Sequence, residues 1–207
     1  MNMKHLFTIL LAFLGLATMQ LPAAEVPAKI GTAGAALTSM EASFTHVKTV
    51  KATGKSITFT GTYYYTATDR LAMHYAQDSE GLVLNADRFF IRRGGKANKG
   101  HISKVNQMEK LSALLFACIR GEVQSVADEN NATLAVKSEK SAWVITLTAK
   151  KKASKGYAKI VLRYRQDDGL LESLRFEEFN GNVNEYTLKD CKAGVVIPAA
   201  KFDIPKK

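Results

Sequence analysis

The sequence predicts a mainly β protein with helices: a single curled antiparallel sheet or barrel of ten or eleven strands, with only two helical stretches. Three observations carry this prediction. Strand formers dominate the middle of the first half, where Ile57, Thr58, Phe59, Thr60, Thr62 and three successive tyrosines are interrupted only by Gly61. Hairpin turns recur at Asp167-Asp168-Gly169 and Asn180-Gly181-Asn182, because Gly and Asn accept the positive φ that primed turns demand, and Arg93-Gly94-Gly95-Lys96 is a further turn. Between the turns apolar and polar residues alternate, giving each run one apolar and one wet face.

The elements follow in chain order. Residues 1–24 hold Lys4, an apolar run at 6–17 and a small-residue end at Pro22, Ala23 and Ala24, the pattern of a cleaved secretory signal peptide. The apolar run is shorter than the roughly 20 residues a membrane-spanning helix needs, and no second long one follows. Residues 25–207 then form one domain, a length that suits a sizeable core. Ile30, Ala33, Leu37, Met40, Ala42 and Phe44 predict an amphipathic helix over 27–44. Strands are expected near 43–51, 55–66, 70–77, 81–86 and 88–93, with tight connections at 78–81 and 85–88.

Residues 94–105 read as a polar loop. From Gln107 the period turns helical, with Met108, Leu111, Leu114, Leu115, Cys118 and Ile119 on one face and Gly121 as its terminator. The run LSALLFACI holds no charge, so this helix must lie against something apolar. Strand signals return near 131–137, 141–149, 156–166, 170–179 and 183–191, with a last short strand at 201–204. Taking alternate residues, one sheet face collects Leu71, Met73, Tyr75, Leu82, Leu84, Phe89, Ile91, Trp143, Ile145, Leu147, Ile160, Leu162, Tyr164, Leu174 and Phe176. The opposite face carries Arg70, His74, Lys159, Arg163, Arg165, Glu172 and Arg175 and reads as wet.

Composition narrows the function. Removing the first 24 residues takes away one lysine and no acid, so the formal charge falls from +10 to +9 over 183 residues. A basic exported protein is drawn to anionic membranes, acidic proteins or nucleic acid. Here the basic residues are scattered, the densest cluster (Lys150, Lys151, Lys152, Lys155) falls in a turn, and no nucleic-acid motif is present, so no nucleic-acid partner is expected.

His46, His74 and His101 lie far apart, and neither HExxH nor GxSxG occurs. Neighbouring carboxylates such as Glu177 and Glu178 point to opposite faces of a strand, and Asp167 and Asp168 sit in a turn. No catalytic residue, metal or cofactor is expected, and the chain does not read as an enzyme. The aromatic residues serve either sugar stacking or a core. Cys118 and Cys191, 73 residues apart, form either a disulfide worth roughly 4 kcal/mol in the chain-entropy model or two buried thiols.

One set of segments goes further. These are EASFTHVKTV, the Gly61-Thr62-Tyr63-Tyr64-Tyr65 strand, RLAMHY, LVLNADRFFI, LSALLFACIRG, LESLRFEEFNGNVNEYTLKD and the closing IPAAKFDIP. In that order and spacing, across about residues 26–205, the chain resembles the periplasmic outer-membrane lipoprotein carriers of the LolA type. The resemblance implies an open, incomplete β-barrel of about eleven antiparallel strands, covered by a helical lid, in a soluble periplasmic monomer. It implies a chaperone of outer-membrane biogenesis that receives acylated lipoproteins from an inner-membrane ABC-type transporter. The carrier shields their acyl chains and passes them to an outer-membrane acceptor. At roughly 0.8 kcal/mol per buried methylene, one acyl chain opposes exposure to water by on the order of 10 kcal/mol.

The hydrophobic ligand-binding residues so implied are Phe59, Tyr63, Leu71, Met73, Tyr75, Leu82, Leu84, Phe89, Ile91, Trp143, Ile145, Ile160, Leu162, Leu174 and Phe176 on the sheet. The lid would add Leu111, Leu114, Leu115 and Ile119. The competing reading of the same residues is a dry core. The same fold also implies a second possibility, a carrier or sensor module for another lipid-linked molecule or a regulatory protein. Where the family ends its Gly-x-aromatic strand on a basic residue and proline, tied to lid closure and release, this chain has Ala67 and Thr68.

Overall fold

Eleven strands pair into one antiparallel sheet among residues 25–67 and 69–205, which are those this computed structural model describes. In chain order the elements begin with α1 (Ala28–Ala36), β1 (Ser39–Val50), β2 (Lys55–Thr66), β3 (Arg70–Tyr75), β4 (Gly81–Asn85), β5 (Arg88–Arg93) and β6 (Lys96–His101). They continue with α2 (Asn106–Arg120), α3 (Val123–Glu129), β7 (Ala132–Ser138), β8 (Ala142–Ala149), β9 (Tyr157–Arg165), β10 (Leu171–Glu178) and β11 (Val183–Ala193). The signal-peptide reading lies outside the described residues. Among those residues, no helix is long and apolar enough to cross a membrane.

The strand order is β6-β5-β4-β3-β2-β1-β11-β10-β9-β8-β7. Every neighbouring pair but one is a sequential hairpin; the exception, β1 with β11, joins the two halves of the chain. Strands β6 and β7 are left as edges, so the curled sheet is an open barrel. The connection between those two edges must travel from one side of the sheet to the other, and it carries α2 and α3. This linker brings the apolar helix read from the sequence against the concave face, where the Tyr164 hydroxyl donates to the Cys118 carbonyl at 2.6 Å.

Two glycines allow the helices to dock. A Cβ on Gly34 of α1 would lie 2.2 Å from the Arg120 carbonyl oxygen, so only glycine permits this backbone contact with the end of α2. Gly121 caps α2 at φ 70° and ψ 22°, its N–H donating to Ala117 and Cys118 carbonyls.

Four expectations are corrected, and one open alternative is decided. The first helix stops at Ala36, and Met40, Ala42 and Phe44 belong to β1, where residues two apart are buried on one face. Their spacing fits both periods, and two-sided pairing with β2 and β11 decides for strand. The polar loop at 94–105 contains β6, an edge strand whose sequence KANKGH lacks apolar alternation because little of it is buried. A third helix, α3, covers residues left unread, burying Val123, Val126 and Ala127. The last strand is instead a 3₁₀ turn at Ala199–Phe202. Of the two alternatives left for the cysteines, the structure has the free thiols, Cys118 buried and Cys191 half-buried.

The faces also divide differently from the simple inside and outside. The principal core lies on the concave side, with Ile30, Tyr65, Leu84, Phe89, Ile145, Leu162 and Tyr164 at 1% exposure or less. On the convex side of β8–β11 the face is wet as expected, with Arg163 Nη1 on Glu139 at 2.6 Å and Arg163 Nε on Glu172 at 3.2 Å. On the convex side of β2–β5, however, the C-terminal segment crosses back as a strap. It buries a second small core of Tyr64, Ala72, Val83, Phe90 and Phe202. Arg70 and His74, read as wet, serve this strap: Arg70 stacks over the Phe202 ring at 5.3 Å and His74 Nε2 donates to the Lys201 carbonyl at 2.7 Å.

Candidate functional site

Alternation along the strands aims one residue in two at the hollow of the sheet, and the hollow is too wide for side chains to fill. A groove with a cavity volume of about 190 Å³ runs between the concave face and α2 and opens to solvent. A close-packed interior leaves no such space. Helix α2 offers it a single stripe, Leu111, Leu115 and Ile119, at i, i+4 and i+8, while Leu114 and Cys118 turn into the packed core. Leu111 and Leu115 stay half-buried, an apolar surface facing space.

Of the nineteen residues the sequence nominated, eleven line this groove: Tyr63, Leu71, Met73, Tyr75, Leu82, Ile91, Leu111, Leu115, Ile119, Leu174 and Phe176. Seven others, Leu84, Phe89, Leu114, Trp143, Ile145, Ile160 and Leu162, pack in the principal core away from its lining. Phe59 is buried under His46, ring centroids 5.5 Å apart. The apolar face is therefore divided, the β8–β9 end being core and the β3–β4 and β10–β11 walls being groove. Alternation marks which face a residue occupies but says nothing about where helices press on it.

The sequence missed the polar part of the lining. His46, Lys48, Glu80, Arg92, Arg93, Glu178, Asn184 and Tyr186 gather toward one end of the groove. Register explains their meeting: His46 of β1 stands opposite Tyr186 and Lys48 opposite Asn184 of β11, two neighbours almost 140 residues apart in sequence. Only the β1–β11 pairing creates this cluster.

At its centre His46 is buried at 3% exposure, stacked on Tyr186 with centroids 4.2 Å apart. Its Nε2–H donates to Asn184 Oδ1 at 3.1 Å, and its Nδ1 accepts from the Tyr75 hydroxyl at 3.0 Å. With the ring neutral, as its burial favours, Nδ1 is the acceptor of that pair. Burial, the largest influence, lowers the His46 pKa, against the opposing pull of the Asn184 hydrogen bond. The same burial raises Tyr75, and pushes Tyr186 up to about 12, so both phenols stay protonated.

The sign of the pH effect follows. A histidine whose folded pKa lies below its unfolded value of about 6.5 binds fewer protons when folded, so its folding stability is complete above that value. It is lost as pH falls from the unfolded pKa through the folded one. Thermal midpoints should therefore drop between pH 7.5 and 5.0, and the drop should be smaller in His46→Gln. An equal drop in both proteins, read by circular dichroism, would exclude His46 as its source.

Tyr63, further along β2 toward the α2 C-terminus, lines the groove with its ring, and its hydroxyl is buried without a hydrogen-bond partner. An unmet buried hydroxyl costs about 1–3 kcal/mol. Burial raises its pKa well above the ordinary phenol value. His74 faces the C-terminal strap, outside the groove, and His101 pairs with Asp87 at 2.9 Å on the surface.

The chain matches the family described as outer membrane lipoprotein carrier protein LolA over residues 35–205. No curated protein matches the chain. Among solved structures, an uncharacterized conserved protein from Thermus thermophilus has a TM-score of 0.51 at 10% identity, covering 86% of this chain and 91% of that one. That likeness shows the fold. A LolA superfamily protein from Nitrosomonas europaea has a TM-score of 0.40 at 9% identity, covering 86% and 96%. The MucA/MucB complex of Pseudomonas aeruginosa has a TM-score of 0.44 at 14% identity, covering 86% of this chain and 59% of that chain.

Proposed function

The chain belongs to the outer membrane lipoprotein carrier protein LolA family, and from that premise we propose that it is a non-enzymatic periplasmic carrier that shields acyl chains in its groove. The single observation that carries this reading is the α2 stripe of Leu111, Leu115 and Ile119 lining an open groove, where Leu111 and Leu115 stay only partly buried although they touch the core. Apolar surface held against empty space gains about 25 cal/mol per Å² when an acyl chain covers it. The same opening lets the chain leave again, which transfer demands.

In this reading the cargo is an acylated lipoprotein, received from an inner-membrane transporter and passed to an outer-membrane acceptor. The groove-lining half of the apolar face binds it. The packed half, Ile145, Ile160, Leu162 and their neighbours, keeps the sheet curled. Native mass spectrometry of the protein purified from its own host is the test. Bound acyl-bearing molecules are expected, together with lipoprotein mislocalisation on depletion. Empty protein and normally sorted lipoproteins would defeat the reading.

A further inference from the structure

The polar end of the groove has a charge arrangement that shielding of acyl chains alone does not need. Lys48 extends from β1 two residues beyond His46, and Arg93 from β5 two residues beyond Ile91, so both sit at groove-facing positions of their strands. Among the described residues neither has a hydrogen bond or an ion pair. The other charged groups at this end are already engaged. Glu80 Oε1 accepts from the Gly94 N–H at 3.1 Å, and Glu178 Oε2 accepts from Asn180 Nδ2 at 2.9 Å. Arg92 donates from Nη1 to the Asp78 carbonyl at 3.0 Å and lies over the Phe90 ring on the convex side.

The Arg93 charge reaches inward, acting on Tyr75, Tyr157, Tyr186 and His46 from four different strands. The same lining holds the Tyr75–His46–Asn184 hydrogen-bonded chain, polar but uncharged, running across β3, β1 and β11. Two cations without a direct partner among the described residues, at the polar end of an apolar trough and offset at longer range by Glu80 and Glu178, offer donors to an anion attached to a hydrocarbon chain.

We propose that Lys48 and Arg93 bind an anionic group adjoining the acyl chains that lie in the groove, and that the acylated cargo therefore carries an acidic group beside its chains. This rests on the carrier reading above and adds the chemistry of the head. Glu80 and Glu178 limit the site's net positive charge, which keeps headgroup release feasible. Arg93 supplies a planar fork suited to a phosphate, and Lys48 a mobile point charge.

The experiment offers the protein vesicles of phosphatidylglycerol and phosphatidylcholine in equal amounts, with identical acyl chains. Attraction of the whole basic protein to the vesicle surface then favours neither lipid. The protein is separated from vesicles and its lipid is identified by native mass spectrometry. Phosphatidylglycerol should exceed phosphatidylcholine by roughly tenfold: both carry the phosphate, and repulsion of the choline ammonium by the two cations supplies the discrimination. Lys48→Ala/Arg93→Ala should bring the ratio close to one without reducing total lipid. Lys151→Ala/Lys152→Ala, which removes the same charge from an exposed turn, should leave the ratio unchanged.

Equal uptake of the two lipids by the wild type, or a preference retained in the Lys48/Arg93 variant, overturns the headgroup site and leaves the carrier reading standing. Loss of the preference in the Lys151/Lys152 variant also overturns it, in favour of general surface charge. Uptake of neither lipid overturns the headgroup site, and failure to bind a neutral triacylated lipopeptide in addition overturns the carrier.

Discussion

Leu115→Asp is expected to weaken binding of a synthetic triacylated lipopeptide by at least about tenfold, because full burial of a leucine side chain is worth about 1.5–3 kcal/mol and a carboxylate opposes acyl contact further. The fold should tolerate the change. Leu115 is half-buried and faces the groove, so its carboxylate remains near water in the empty protein. A cost of about 1 kcal/mol corresponds to a shift of about 2–4 °C for a chain of this size. Leu114→Asp is the contrasting variant. Leu114, one residue earlier, is 6% exposed and packed in the core, so its carboxylate has no water and the fold itself should fail. Lipopeptide titration by fluorescence and thermal melts of both variants separate the two roles. Equal loss of binding and stability in Leu115→Asp would make α2 ordinary core.

The second large effect concerns stability alone. Phe202→Ala should destabilise the protein by about 3–5 kcal/mol, the range for deleting a buried phenylalanine. Phe202 has 0% exposure and is the centre of the small convex core with Tyr64, Ala72, Val83 and Phe90. Its carbonyl also accepts from Asn85 Nδ2 at 3.0 Å, and its ring lies under Arg70. Without the ring the strap should lift and expose the outer face of β2–β5, a loss that is a large share of a typical total of about 5–15 kcal/mol. Urea unfolding measures it. A loss below about 1 kcal/mol would show that the strap is held by its hydrogen bonds and not by Phe202.

Much of this molecule was legible from its residues, for identifiable reasons. The hairpins at 167–169 and 180–182 and the turn at 93–96 were readable because such turns need positive φ, and Gly94, Gly95, Gly169 and Gly181 adopt it. The apolar α2 was readable because an uncharged helical stretch must be covered. Strand β6 was not, although the Gly94-Gly95 turn pointed to it, because an exposed edge strand carries no burial pattern. Helix α3 went unread because seven residues give too few turns for a period to emerge.

The candidate site was half legible for the same physical reason. Side-chain direction is local, set by the pleat, so eleven groove residues could be named from alternation and helix spacing. Depth is not local. Whether Ile145 lies in core or groove depends on what α2 and α3 press against, and those helices are placed by a connection between the two sheet edges. The strap shows the same limit, since nothing in IPAAKFDIP indicates that it crosses the outside of β2–β5.

The sequence by itself determined the family, the antiparallel sheet and the face each strand residue takes, because turn chemistry and period are properties of neighbouring residues. The tertiary structure alone decided that β1 pairs with β11, and this brings His46 and Lys48 beside Asn184 and Tyr186. Pairing across so long a loop depends on closing the chain and burying its faces together, which no local pattern encodes. The polar end of the groove, with its two unpaired cations, exists only as a consequence of that pairing.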